Sequence, residues 1–347
     1  MPLPGQGAVP TGSLYLELTS ATRRAFIPKL FVQLYFASPS LFFMLGGAQK
    51  SAGGLSQITI PIQGQSMVQG QFTGYSGGFN SPIVTPGVQN AQFPTAYWVV
   101  PVPLPFGETV IQATDREISL LKARMNDVWS VTTQNVAGLL YSNNTANSLF
   151  PNSFFDATDD GTNVAVYGGI NRSAPGNASW KGQYYVANTG SGQSGNVGFT
   201  RATMSNSLIT ITDAAGGEAP TCVIMNPGDF ARLNTDFIGA EQTFVNVDRE
   251  YKMGSPVRAS FPNLNVAGVP IFADHFCPVG NAYYLNTKYL NMYMSEDAAF
   301  EFSGFYSLVP LGQIGQQGVV VLGYNIAAAK CSASAHVTGI ANPANTF

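Results

Sequence analysis

The chain has 347 residues, 45% of them hydrophobic and only 10% Asp, Glu, Lys or Arg, with a formal net charge of -3 at pH 7. That length and apolar content argue against a disordered chain and allow two domains or one elaborate one. With no basic block beyond Arg23-Arg24, the sequence also argues against a surface built to grip nucleic acid by its phosphates. A charge content far below the roughly 25% usual for soluble proteins suits a surface hidden against other copies of the chain, because interface cores are depleted in charge. It also suits a charge-poor β-rich surface protein.

The 37 glycines and 22 prolines imply many turns and extended segments. Residues 1–28 read as an extended arm. Residues 28–37 and 39–45 read as two short amphipathic pieces, the second a helix with Ser38 as its cap, Pro39 in its first turn and Gly46-Gly47 at its end. From Ser51 to Gly107 no charged residue occurs. Within that stretch Ile58, Ile60 and Ile62 alternate with Thr59 and Pro61, as in a strand with one apolar face. A turn cluster at Gly74–Phe79 and strand signals at Ile83-Val84 and Ala96–Val102 complete a long β-hairpin and a strand entering a core. Pro101 and Pro103 predict an edge position for that strand. A charge-free two-stranded hairpin is marginal alone, so it should lie on something, and a neighbouring copy is a candidate.

A helix is predicted over about 115–141. Thr114 and Glu117 form a capping box, and Ile118, Leu121, Met125, Val128, Thr132, Val136 and Leu139 recur at helical spacing, with Trp129 and Leu140 widening the stripe. At about 1.5 Å per residue it would be some 40 Å long. Residues 142–161 read as loop and Tyr184–Val186 as a short strand. A Gly/Asn/Ser-rich zone follows at 188–196, then a short helix near 201–208, a buried strand at Thr221–Met225 and a helix begun by Asn226-Pro227. Further strands are predicted at Val269–Phe272, Ala282–Leu285 and Tyr289–Met294. Two strands of a final hairpin are predicted at Gly318–Tyr324 and Ile326–Ile340, in a tail with no charged residue between Glu301 and Lys330 or after Lys330.

The chain carries little catalytic chemistry. His275 and His336 are the whole histidine supply, and Cys222, Cys277 and Cys331 form neither a CxxC pair nor a disulfide framework. No Walker A or HExxH motif occurs. Residues 190–195 match GxGxxG literally, but without the flanking strand and helix a dinucleotide site needs. Asp156, Asp159 and Asp160 hint at a cation, though not at the spacing of a calcium loop; a solvated turn is the blander reading. No cofactor is expected, no enzyme activity, no secretory signal, and no membrane span, since 30–45 is short and interrupted.

Several segments, in order, resemble major capsid proteins of tailed double-stranded DNA bacteriophages with the Hong Kong 97-like fold. Ala37–Leu45 with Gly53-Gly54 and Ile58–Ile62 is similar to the end of an N-arm rising into an E-loop. The capped helix resembles the spine helix. Tyr167-Gly168-Gly169-Ile170-Asn171-Arg172, with Trp180 after it, resembles a segment common in these proteins, and Met225-Asn226-Pro227 and Tyr283–Leu290 resemble A-domain elements. The resemblance implies an α+β chain divided into an N-terminal arm (1–50), an E-loop (51–95), a P-domain (96–200 and 306–347) and an A-domain (201–305). It implies self-assembly as pentamers and hexamers into an icosahedral capsid around double-stranded DNA, in a virion built in the host bacterial cytoplasm, with scaffolding, portal and decoration proteins as partners. It also implies assembly roles for Ile58, Ile60, Tyr75 and Phe79 in the E-loop, Ile118, Met125 and Trp129 on the spine helix, and Tyr167, Arg172 and Trp180. An encapsulin-like shell shares the fold and stands as the alternative. No lysine occurs between Lys50 and Lys122, so the isopeptide weld of some relatives, which needs an E-loop lysine, is not expected.

Overall fold

The computed structural model describes residues 38–51, 56–64, 87–105, 120–144, 149–186, 200–238, 263–308 and 315–340, with a few isolated positions between them. The expected strand at Ile83-Val84, the capping box at Thr114, Ile118 and Phe79 lie outside the described residues. In chain order the elements are a helix Pro39–Gly46, β1 (Gln49–Ser51), β2 (Gln57–Gln63), β3 (Val88–Pro94), β4 (Ala96–Pro105) and a long helix Leu120–Leu139. A short helix Phe154–Thr158, β5 (Val166–Tyr167), β6 (Ile170–Asn171), a 3-10 turn Ala178–Trp180, β7 (Gln183–Val186) and a helix Arg201–Ala214 follow. Then come β8 (Cys222–Met225), a helix Pro227–Ile238, β9 (Asn263–Val266), β10 (Val269–Ala273), β11 (Ala282–Leu285) and β12 (Leu290–Phe302). The last elements are β13 (Tyr306–Ser307), β14 (Gly315–Ala328), a 3-10 turn Cys331–Ala333 and β15 (Ala335–Thr338). No helix among the described residues is long and apolar enough to cross a membrane. The chain is mixed α+β and forms two compact units.

The larger unit holds 36–98, 135–299 and 322–347. Its six-stranded sheet has the order β7-β15-β11-β8-β10-β9. All four residues of β8 are buried, as expected for a central strand with β10 parallel on one side and β11 antiparallel on the other. Met204, Leu208 and Ile211, at helical i, i+4, i+7 spacing, join Phe230 and Leu233 of the next helix in one core with Val223, Met225, Ile271, Tyr284 and Val337 of the sheet. Each such side chain contributes about 1.5–3 kcal/mol by leaving water. The helix begun by Arg201 runs to Ala214, past the expected 208, because Thr200 and Thr203 close a capping box at its start and the apolar spacing persists through Ile211.

Helix Pro39–Gly46 ends as its sequence requires: the Ser38 hydroxyl accepts from the Leu41 N–H, and Gly47 is the C-cap. The hairpin β2–β3 is in register from Gln57 opposite Pro94 to Gln63 opposite Val88. Ile58 pairs with Phe93, and Ile60 with Ala91. Ile58, Ala91 and Phe93 are buried, while Thr59, Pro61, Asn90 and Gln92 are exposed, so the alternation read from the isoleucines holds.

Two further segments differ from expectation. The stretch expected to be loop, 142–161, contains a helical turn, Phe154–Thr158, because Ser153 and Asp156 cap it reciprocally. The final hairpin is not a hairpin. β14 is one 14-residue strand in a sheet ordered β1-β12-β14-β13, with β4 also paired to β14. β15 lies in the other sheet, antiparallel to β11 and parallel to β7. Residues 322–328 are buried whatever their parity, so an apolar run without alternation carried no information about which sheet each half joins.

The smaller unit contains, among the described residues, 99–105, 120–134, 300–308 and 315–321. Here Arg124 donates to the Pro103 carbonyl at 2.6 Å, tying the long helix to β4. β13 pairs antiparallel with β14, Tyr306 opposite Gln317. Trp129 stacks on Phe300 at 4.6 Å between ring centroids and stays 48% exposed.

Candidate functional site

The sequence singled out Tyr167, Arg172, Trp180, Asp156 and Asp159 for separate reasons, and the larger unit brings all five together. Arg172 is fully buried and the bulkiest such side chain among the described residues. A guanidinium has five donors in a fixed fork, and Arg172 distributes them over four segments. It donates to the carbonyls of Asp156 (2.8 Å), Ala157 (3.2 Å), Trp180 (3.3 Å) and Val164 (3.4 Å) and approaches the Cys331 sulfur at 3.8 Å. Its charge faces Asp159 at 4.0 Å and sits 4.7 Å from the centre of the Tyr167 ring. Burying a charge is costly unless it is paired and hydrogen-bonded; here Asp159 faces the charge and each guanidinium nitrogen donates to at least one carbonyl.

Asp159 is buried, and its carboxylate accepts from the N–H groups of Gly161, Asn163 and Val164 and from the Asn163 side-chain amide. Asp156 accepts from the Ser153 and Asn144 N–H groups. Burial pushes its carboxyl up to about 6, against the pull of those amides and of Arg172. Asp160 accepts from the Thr162 N–H. All three acids considered for a cation thus accept hydrogen bonds from protein donors. No group of three or more His, Cys, Asp or Glu among the described residues is arranged to hold a metal ion.

The same cluster clamps the root of the β2–β3 hairpin. Tyr167 packs edge-on against Phe93 at 5.0 Å and near Trp180 at 5.7 Å. Its hydroxyl accepts from the Ala328 N–H, and its carbonyl accepts from the Trp180 indole N–H. The Gly168 carbonyl accepts from Gln92 of β3 at 2.8 Å. Gly168 has φ +59°, and a Cβ there would stand 2.8 Å from the Phe93 ring and 3.1 Å from Ala91. Both the left-handed backbone and the close approach require glycine. Gly168→Ala is expected to destabilise the subunit by about 1–3 kcal/mol, read as a lower urea midpoint; an unchanged midpoint would show that the β3 contact does not hold in solution. Higher on the hairpin, Gln89 donates to Asn177, and Ser179 to the Gly64 carbonyl. Asn325 donates to the Pro94 carbonyl and accepts from Asn152.

Two further nodes were not legible in sequence. Asp274, fully buried, accepts through one oxygen from the hydroxyls of Ser38, Ser40 and Tyr141 and from the Ser40 N–H. Its other oxygen accepts from Phe276 N–H. His336 lies flat on Tyr283 at 4.3 Å, edge-on to Phe155 and Tyr184, with one ring nitrogen 2.9 Å from the Asn281 oxygen and the other buried without a partner among the described residues.

Burial lowers the His336 pKa to about 4, against the smaller opposing pull of Asp159. Its unfolded value is about 6.5, so the neutral ring contributes stability that is full above 6.5 and lost as pH falls toward 4. The loss is about 3 kcal/mol. Asp156, raised to about 6, works in the opposite sense: its contribution is full below the unfolded value near 3.9 and lost as pH rises through 6. His336→Phe is expected to flatten the acid-side loss between pH 6.5 and 4, measured as urea midpoints against pH. Parallel curves for variant and parent would refute the assignment.

Of the remaining candidates, Ile58 lies on the buried face of the hairpin and Ile60 is half-buried. Tyr75 is fully exposed. The backbone of Met125 lies in the long helix.

No protein-family model matches the sequence, and no curated protein matches it. Solved structures do. A chain of the Cyanophage A-1(L) capsid aligns with a TM-score of 0.67 at 14% identity, over 94% of this chain and 99% of that one. The SrpI encapsulin of Synechococcus elongatus aligns at 0.54 and 11% identity, over 95% of each chain. A chain of the native GTA particle capsid aligns at 0.55 and 8% identity, over 90% and 95%. Agreement over nearly the full length of every partner, at identities that leave only architecture in common, shows that the chain has the Hong Kong 97-like fold.

Proposed function

We propose that the chain is the structural subunit of an icosahedral shell that self-assembles as pentamers and hexamers around a phage double-stranded DNA genome, without enzymatic activity. The likeness to the Cyanophage A-1(L) capsid chain, over 94% of this chain and 99% of that one, carries the reading. The low charge content supports it, because a surface shared with copies needs fewer charges. Shell stability then comes from many modest contacts closed by symmetry, each contributing about 25 cal/mol per Å² of apolar area buried. A net charge of -3 suits a container that does not hold DNA tightly.

In this reading 1–50 is the N-terminal arm, 51–95 the E-loop, 96–200 and 306–347 the P-domain, and 201–305 the A-domain. β7 and β15 share one six-stranded sheet with β8–β11. Tyr167, Arg172 and Trp180 set the angle at which the E-loop leaves the body, through their grip on β3. Ile58, Ile60, Tyr75, Phe79, Ile118, Met125 and Trp129 are the other assembly candidates. Scaffolding, portal and decoration proteins would be its partners, and assembly would take place in the host bacterial cytoplasm.

The SrpI likeness favours a second reading, a protein compartment that encloses cargo enzymes. Cryo-electron microscopy of the chain, expressed alone and with its genomic neighbours, separates the two. Closed particles filled with nucleic acid are the expected result. Closed particles filled with protein would assign the compartment, and a persistent monomer would overturn both.

A further inference from the structure

A chemically labile bond lies inside the Arg172 node. Asp160-Gly161 is the only Asp-Gly pair in the sequence, and no Asn-Gly pair occurs. In such a pair the side-chain carboxyl carbon stands close in the chain to the next backbone nitrogen, and glycine brings no Cβ to hinder an attack. The Gly161 nitrogen can bond to Cγ of a protonated Asp160. The amide hydrogen and the carboxyl hydroxyl leave together as water, and a five-membered succinimide closes. Water then reopens the ring. Opening at the main-chain carbonyl routes the backbone through Cβ and Cγ, which gives isoaspartate.

The turn requires this glycine. Gly161 has φ +103°, which a residue with a side chain rarely adopts, and a Cβ there would stand 3.2 Å from Cβ of Arg172. The fold therefore keeps the labile pair, and both reacting groups are tied to other partners. The Gly161 N–H donates to Oδ2 of Asp159 at 2.9 Å. The Asp160 carboxylate accepts from the Thr162 N–H at 2.9 Å. Attack needs the Gly161 nitrogen to give up its proton. A carboxylate in contact opposes that loss, because a nitrogen turning negative would face a negative oxygen.

Asp159 is itself fixed. It is buried, accepts from the Asn163 and Val164 N–H groups and the Asn163 side-chain amide, and faces Arg172. Gly161 is thus held, through one carboxylate, to the centre of the node.

We propose that Asp160-Gly161 is an isoaspartate-forming site that the Asp159 carboxylate holds shut in the folded chain, and that conversion, once it occurs, stops the Arg172 node from closing again. Isoaspartate adds one main-chain atom between 160 and 161. Arg172 donates to the Asp156 and Ala157 carbonyls before that point and to the Val164 carbonyl after it. The added atom shifts one set of acceptors against the other, so the modification is a one-way record of local opening. The folded chain converts at the unfolded rate multiplied by the fraction of time the turn is open. None of this depends on whether the chain builds a shell.

The test holds the full chain in mildly acidic buffer, folded and in urea beyond its unfolding midpoint, and measures isoaspartate at 160 by electron-transfer mass spectrometry of its peptides. The expected result is conversion at least about tenfold slower in the folded chain. Folded Asp159→Asn and Asn163→Ala, the second removing a donor that fixes Asp159, should both convert faster than the parent. Leu208→Ala, which weakens the sheet core instead, should convert like the parent. If Asp159→Asn does not fold, Asn163→Ala decides alone. Equal rates in folded and unfolded parent overturn the proposal. So does a protected parent whose folded Asp159 and Asn163 variants convert no faster, since Asp159 would then not be the guard. Converted chains that refold with the parent's urea midpoint overturn the one-way record.

Discussion

Arg172→Met is expected to destabilise the unassembled subunit by about 3–5 kcal/mol, the range seen when one partner of a buried charge is removed. Three losses combine. Asp159 keeps its amide donors but loses the only cation near it among the described residues. The carbonyls of Asp156, Ala157, Val164 and Trp180 lose their guanidinium donors in a site closed to water. The Tyr167 ring loses the cation beside it. Met fills much of the volume but donates nothing. Arg172→Lys should recover only a minor part, because one ammonium on a flexible stem cannot reach carbonyls that a planar fork spans at once. Urea unfolding checks the magnitude, and amide hydrogen exchange at Gln92 and Ala328 checks that the loss spreads to the hairpin root. A loss below about 1 kcal/mol for Met, or full recovery by Lys, would show that Arg172 does not organise this node.

Asp274→Ala is expected to cost about 3 kcal/mol or more. The substitution strands the hydroxyls of Ser38, Ser40 and Tyr141 together in a buried space, each at about 1–3 kcal/mol if it finds no substitute acceptor. Asp274→Asn should cost nearly as much, since an amide offers one acceptor oxygen where both carboxyl oxygens are in use, and its NH2 meets donors. The coupling is measurable in a cycle with Ser40→Ala: the double variant should lose clearly less than the sum of the single losses. Additive losses would mean that Ser40 and Asp274 do not interact in solution. This carboxyl joins the Ser38 cap to the end of β10, so the same variant should raise exchange at Leu41, whose N–H is held by Ser38.

Local features were readable from composition and period because they depend on near neighbours. Ser38, Pro39 and Gly47 set the ends of the first helix through capping that needs no distant residue. The alternation at Ile58, Ile60 and Ile62 is the pleat of a half-buried strand, and the unbroken apolar run Cys222–Met225 is a strand covered on both faces. Charge scarcity pointed to shared surfaces for a reason independent of fold.

Only the tertiary structure decided what depends on groups far apart in the chain. Arg172 and Asp159 are 13 positions apart, and the Arg172 side chain meets Cys331 across 159 positions. Asp274 meets Ser38 across 236. Periodicity reports which face of an element is apolar and nothing about which element lies opposite. That is why a continuous hydrophobic tail read as one hairpin while β14 and β15 went to different sheets. Trp129 shows the same limit: its spacing placed it on the stripe, but only the position of Phe300 decided that half its ring would remain in water.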